Sequence, residues 1–125
     1  MGLTHVTVTM RNLSEPQKAY TALFLVDTGA YDSLIPAEGV AALNVQPVGH
    51  VECELADGTP KKLPFAVCQI EFMGEITGGR VLFGPSGIEP LLGVTALESV
   101  GITVDPRTQV LKRLPAIPLK VLGRD

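Results

Sequence analysis

Polar and apolar residues alternate from Thr4 to Met10. His5, Thr7 and Thr9 fall on one side and Val6, Val8 and Met10 on the other, the period-two pattern of a half-buried strand with His5 at the surface. A polar connection over Asn12 to Lys18 leads to a second strand, Ala19 to Val26, and the two are predicted to form a hairpin. The end of that strand, Leu23-Phe24-Leu25-Val26, is a continuous apolar run of strand length and predicts a buried strand. It runs directly into Asp27-Thr28-Gly29-Ala30.

Ser33-Leu34-Ile35 predicts a short strand. Pro36 suits a first helical turn, so Ala37 to Leu43 predicts a brief helix that Gly39 weakens. Val48 to Leu55 alternates again and ends at Ala56-Asp57-Gly58-Thr59, where Asp-Gly between strands signals a hairpin turn. Phe65 to Phe72 predicts a strand with Ala66, Cys68, Ile70 and Phe72 on one face. Gly74 and Gly78-Gly79 are expected to bracket a turn, with Arg80 to Phe83 returning.

Val81-Leu82-Phe83-Gly84-Pro85 and Leu91-Leu92-Gly93 are further apolar runs. Val94 to Val100 predicts a second short helix ending at Gly101. Ile102 to Val104 and Gln109 to Leu111 flank Asp105-Pro106-Arg107-Thr108, a turn preset by its proline. The tail, Leu114 to Asp125, carries Pro115 and Pro118, which restrict it to an edge strand or no strand. The pattern is all-β with one or two short helices, in a single domain over residues 1–125.

Composition narrows the functional classes. The 125 residues are 46% hydrophobic, enough for one domain with a core, and 13 Gly with 10 Pro imply many turns and little helix. The net charge is −3, and no basic cluster exceeds Lys61-Lys62 or Lys112-Arg113, so nucleic acid is not an expected partner. No apolar run approaches the roughly 18 residues of a membrane span. The start, Met1 to Val6, lacks the charged and apolar parts of a signal peptide, and Val6 breaks the myristoylation pattern. A cytoplasmic protein is the expectation. Cys53 and Cys68 lack metal-ligand spacing and are read as reduced thiols, with a disulfide left open. No metal or cofactor is expected.

The candidate chemistry lies at Asp27. A strand that delivers a carboxylate into a turn is a good mount for acid–base work, and Asp is rarely fully buried without a partner. Thr28 adds a hydroxyl that donates and accepts, and Gly29 permits a tight backbone. For the bare tripeptide, a solvated turn residue is the simpler explanation. Its context adds more. With Asp27-Thr28-Gly29-Ala30, the stretch Gln69 to Pro85 leading into V-L-F-G-P, and Leu91-Leu92-Gly93 before a helix, the chain from 19 to 111 resembles the retropepsins, the retroviral-type aspartic proteases, and their cellular and bacterial relatives.

That resemblance implies a closed acid-protease barrel of six or more strands, acting as a homodimer on a peptide or protein substrate. Asp27 is the implied catalytic residue, with Thr28 cross-bracing the active-site loops and Gly29 leaving room for substrate. Ala30, Asp32, Asp57 and Gly58 are implied substrate-binding residues, and the hairpin from Val51 to Leu63 takes the place of the flap. Two departures stand out. Tyr31 replaces an aspartate found in many retroviral members, and Val94 follows Gly93 where they carry an arginine, so the ion pair that braces their dimer is missing. The flap segment also carries Asp57, Lys61 and Lys62 where retroviral flaps are glycine-rich.

An aspartic protease needs two close carboxylates, one ionised and one protonated, because like charges at such range do not both ionise cheaply. One chain of this length supplies one Asp27, and a two-fold dimer supplies the second. The rival reading is a non-catalytic dimerisation or peptide-binding module on the same fold, since a fold does not dictate a function.

Overall fold

The computed structural model describes residues 4–55 and 57–115. Strands β1 (His5–Arg11) and β2 (Ala19–Asp27) pair antiparallel in one register, from His5 opposite Leu25 to Arg11 opposite Ala19. Val8, Met10 and Phe24 point into the core and are fully buried. The connection between the strands is fastened by Asn12. Its side-chain amide donates to the Leu43 carbonyl at 2.9 Å, and its Oδ1 accepts from the Ser14 and Glu15 N–H groups. A buried polar group so satisfied costs little.

β3 (Ser33–Ile35) leads through Pro36 into α1 (Ala37–Leu43), which ends at Asn44 in the left-handed conformation. Gly39 has a packing reason to be glycine: a Cβ there would lie 3.0 Å from the Tyr20 ring. The next hairpin joins β4 (Gly49–Glu54) to the long β5 (Pro60–Phe72), and β6 (Glu75–Phe83) returns along β5. β7 (Leu91–Gly93) precedes α2 (Val94–Ser99), and a two-stranded pair, β8 (Ile102–Val104) with β9 (Leu111–Arg113), closes the described chain.

β1, β2, β7, β3, β6 and β5 follow one another around a closed six-stranded barrel, because β1 pairs with β5 over Thr9–Arg11. β5 is long enough to serve two partners along one edge, β4 first and β1 afterwards, while β6 takes the other edge. The N-terminal part of β5 therefore leaves the barrel with β4 as a projecting hairpin. The architecture is all-β with two helices, and among the described residues no helix is long and apolar enough to cross a membrane.

Local departures from the expected pattern have plain causes. Leu23 is 59% exposed, so the apolar run ending β2 is buried on one face only: Phe24 turns inward and Leu23 outward. Gly78 and Gly79 lie inside β6, opposite Gln69 and Cys68, and the turn is made instead at Met73-Gly74, both at positive φ. The last turn runs longer than Asp105–Thr108, with Asp105 N–H donating to Val110 O at 2.9 Å and Gln109 at positive φ. Ala56 and the tail beyond residue 115 lie outside the described residues, so the expectation of an edge strand there stays at the level of sequence.

Both cysteines are free. Cys68 is fully buried in the barrel, and burial pushes its thiol up to about 11; Cys53 is half-buried on β4, and its thiol is raised too, chiefly by burial and then by Asp32. The thiolate is the reactive form. In native protein an alkylating reagent is expected to modify Cys53 slowly and Cys68 only after unfolding, as read by mass spectrometry. Equal labelling rates would contradict this burial pattern.

Candidate active site

Asp27 is the last residue of β2, and its place is set by pairing on both sides of a neighbouring strand. β7 runs parallel to β2, with Asp27 opposite Gly93, and lies against β3 on its other edge, where Leu34 faces Leu91. The loop from Thr28 to Asp32 joins β2 to β3 and so must pass over the end of β7. Glycine at 93 makes that crossing possible. A Cβ there would fall 2.6 Å from both the Asp32 carbonyl carbon and the Tyr31 oxygen.

The loop is also held by the helix that follows. The Ala30 carbonyl accepts from Val94 N–H at 2.8 Å and the Tyr31 carbonyl from Thr95 N–H at 3.2 Å. First-turn N–H groups of a helix have no partner within it, so these bonds satisfy α2 and fasten the loop together. Ser33, buried at the start of β3, accepts from Gly93 N–H through its hydroxyl at 3.0 Å.

Within this frame Asp27 is half-buried as a residue, and its carboxylate Oδ1 accepts from Gly29 N–H at 3.0 Å. A Cβ on Gly29 would stand 3.3 Å from that same oxygen, so a side chain at 29 would crowd the carboxylate. Thr28 and Gly29 are exposed at the apex and Ala30 is half-buried beside them. Tyr31 projects outward, 80% exposed. Asp32 turns back to the barrel, where its carboxylate lies 3.2 Å from the Arg80 guanidinium.

Asp57 and Gly58 sit apart from this loop in sequence and in role. They shape the tip of the β4–β5 hairpin: Gly58 has φ +86°, its N–H donates to Leu55 O at 2.9 Å, and Asp57 Oδ1 accepts from Thr59 N–H at 3.0 Å. Thr59, through its hydroxyl and its N–H, holds the Asp57 carboxyl below its usual range. Lys61 and Lys62 fall on opposite faces of the hairpin, opposite Cys53 and Glu52 respectively.

The structure thus brings Asp27, Thr28, Gly29, Ala30 and Asp32 into one loop and gives Asp57 and Gly58 a turn-forming part. Sequence reasoning passed over Ser33 and Arg80. A serine at the head of an apolar strand is a weak signal for a buried hydroxyl acceptor. Nothing in the sequence signals the pairing of Asp32 with Arg80. A small hollow of about 20 Å³ lies beside the loop, lined by Tyr31, Asp32, Ser33, Arg80 and Thr95 among others. A larger one of about 390 Å³, between α1 and the end of β6, is lined by Val40, Asn44, Gln46 and Phe83 among others and holds no acid or base. Of the two hollows, only the one beside the Asp27 loop is lined by charged side chains, Asp32 and Arg80. Among the described residues no three His, Cys, Asp or Glu side chains gather as a metal site would require.

Neither a scan against protein-family models nor a search of curated proteins finds a match to this chain.

Proposed function

We propose that this chain is an aspartic endopeptidase of the retropepsin type, with two copies of Asp27 meeting at the axis of a homodimer. The observation that carries the reading is the mounting of Asp27. A carboxylate at the end of a barrel strand, oriented by Gly29 N–H, is presented in a loop fastened to α2 and β6, with Thr28 and Gly29 exposed at its apex. Such rigid support is what acid–base geometry requires. The hollow beside the loop is far too small for a peptide, which fits a cleft completed by a second copy.

In this reading one Asp27 is ionised and takes a proton from water, whose oxygen attacks the peptide carbonyl. The other, protonated, gives its proton to the carbonyl oxygen; as the C–N bond breaks, the first Asp27 passes the water-derived proton to the leaving amine and the second recovers its proton from the tetrahedral hydroxyl. On the same reading Thr28 and Gly29, exposed at the apex, face the second chain, and the β4–β5 hairpin would cover the substrate.

The test is cleavage of a diverse peptide library across acidic to neutral pH, with and without a pepstatin-type inhibitor. Cleavage that the inhibitor blocks is the expected result, and its absence at every pH would overturn the reading. Specific activity should also fall on dilution toward the dimer dissociation constant. A monomer with full activity in sedimentation experiments would remove the shared dyad.

A further inference from the structure

The β4–β5 hairpin leaves the barrel at Phe65. There β5 has partners on both edges, Gly49 of β4 on one and Leu82 of β6 on the other, and Val48 N–H donates to the Phe65 carbonyl at 2.8 Å. The Phe65 ring rests directly on Gly49, where a Cβ would come within 2.8 Å of it. Position 49 thus has no room for a side chain, and the ring has no room to move toward β4. Above Phe65 stands Arg80 of β6, its guanidinium 5.3 Å from the ring centroid. The same guanidinium contacts the Asp32 carboxylate, whose side chain is only 13% exposed.

One planar cation therefore touches two elements that are far apart in the chain: the end of the Asp27 loop and the pivot of the hairpin. A guanidinium can pair with a carboxylate while stacking on a ring, whereas an ammonium is a compact, strongly hydrated point charge. We propose that Arg80 is a positioning residue that ties the base of the β4–β5 hairpin to the Thr28–Asp32 loop, so that hairpin placement and loop geometry are set together. Its consequence for peptide binding rests on the protease reading; the mechanical coupling does not.

The test is amide exchange in the full chain, comparing wild type with Arg80→Lys, Phe65→Leu and the double variant. Arg80→Lys keeps a cation for Asp32 and loses the stacked plane. Phe65→Leu keeps both partners of the Asp32–Arg80 pair and removes the ring on which the guanidinium is stacked. Each is expected to speed exchange about two- to fivefold, the size of a partly exposed cation–π contact, in both residues 28–32 and residues 50–63. The strands at 5–11 should keep wild-type rates. The double variant should add little to either single one, because both break the same linkage.

Three outcomes would overturn the proposal: unchanged exchange at 28–32 in Phe65→Leu, additive effects in the double variant, or a rise extending through 5–11. In cleavage assays Arg80→Lys should raise KM for a peptide more than it lowers kcat, since the hairpin shifts while Asp27 remains; the reverse split counts against it. A wild-type protein that cleaves nothing would defeat the protease reading and leave the exchange result to decide the coupling.

Discussion

Asp27→Asn is expected to reduce peptide cleavage to background, a loss of at least about 10³-fold, because the substitution removes the ionisable group that acts as both base and acid. The loop itself should survive. Asn keeps an oxygen that accepts from Gly29 N–H, as Asp27 Oδ1 does at 3.0 Å. The bonds from Val94 and Thr95 to the loop carbonyls are made by backbone and are indifferent to residue 27. Circular dichroism and the melting temperature should therefore match wild type. Dimer affinity should be equal or higher near neutral pH, because two carboxylates at the axis repel and two amides do not. The wild-type pH–rate profile should be bell-shaped, with limbs that belong to the pair of carboxylates and to neither chain alone. If Asp27→Asn cleaved at the wild-type rate, the aspartic protease reading would fail, and a peptide-binding module would become the better account.

Gly93→Ala is expected to be the most damaging small substitution in the fold. Its added carbon would lie 2.6 Å from the Tyr31 oxygen and the Asp32 carbonyl carbon and 2.7 Å from the Asp32 oxygen, and all three are backbone atoms. β7 cannot withdraw, since it is paired with β2 along one edge and β3 along the other, and Gly93 N–H is bonded to Ser33. The loop cannot withdraw without surrendering its bonds to α2. A loss of about 3 kcal/mol or more follows for overpacking against such fixed atoms. For a chain of this size that lowers the melting temperature by about 10 °C or more.

Gly78→Ala is the control. A Cβ there meets only Cys68 O at 3.7 Å, an ordinary contact, and its backbone is extended. Its effect on stability should stay within about 0.5 kcal/mol. Comparable melting temperatures for the two variants would show that the crossing over Gly93 is looser than the structure has it.

The local elements follow from short stretches of the amino-acid sequence. The alternation of Val6, Val8 and Met10 with His5, Thr7 and Thr9 reappears as β1 with its inner face buried. Pro36 before an Ala-rich stretch yields α1, and Asp57-Gly58 makes its hairpin turn through a positive φ. These follow from side-chain periodicity and turn chemistry, which act over a few residues. The sequence also singled out Asp27, a carboxylate that an apolar strand delivers into a turn, though only the surrounding motifs raised it above an ordinary solvated turn residue.

Which strands meet depends on long-range packing. Nothing local says that Leu91-Leu92-Gly93 inserts between β2 and β3, or that β1 closes the barrel on β5. Partner choice among similar apolar strands depends on the packing of the whole core, which no window of sequence contains. The same holds for the pair of Asp32 and Arg80, and for Gly93, which is glycine because a loop some sixty residues earlier crosses it. Leu23 shows the limit from the other side: a continuous apolar run reads as buried on both faces, yet one face of β2 is left open in the single chain. Periodicity reports how a strand is written. Exposure depends on what lies against it, and that is a property of the assembled structure.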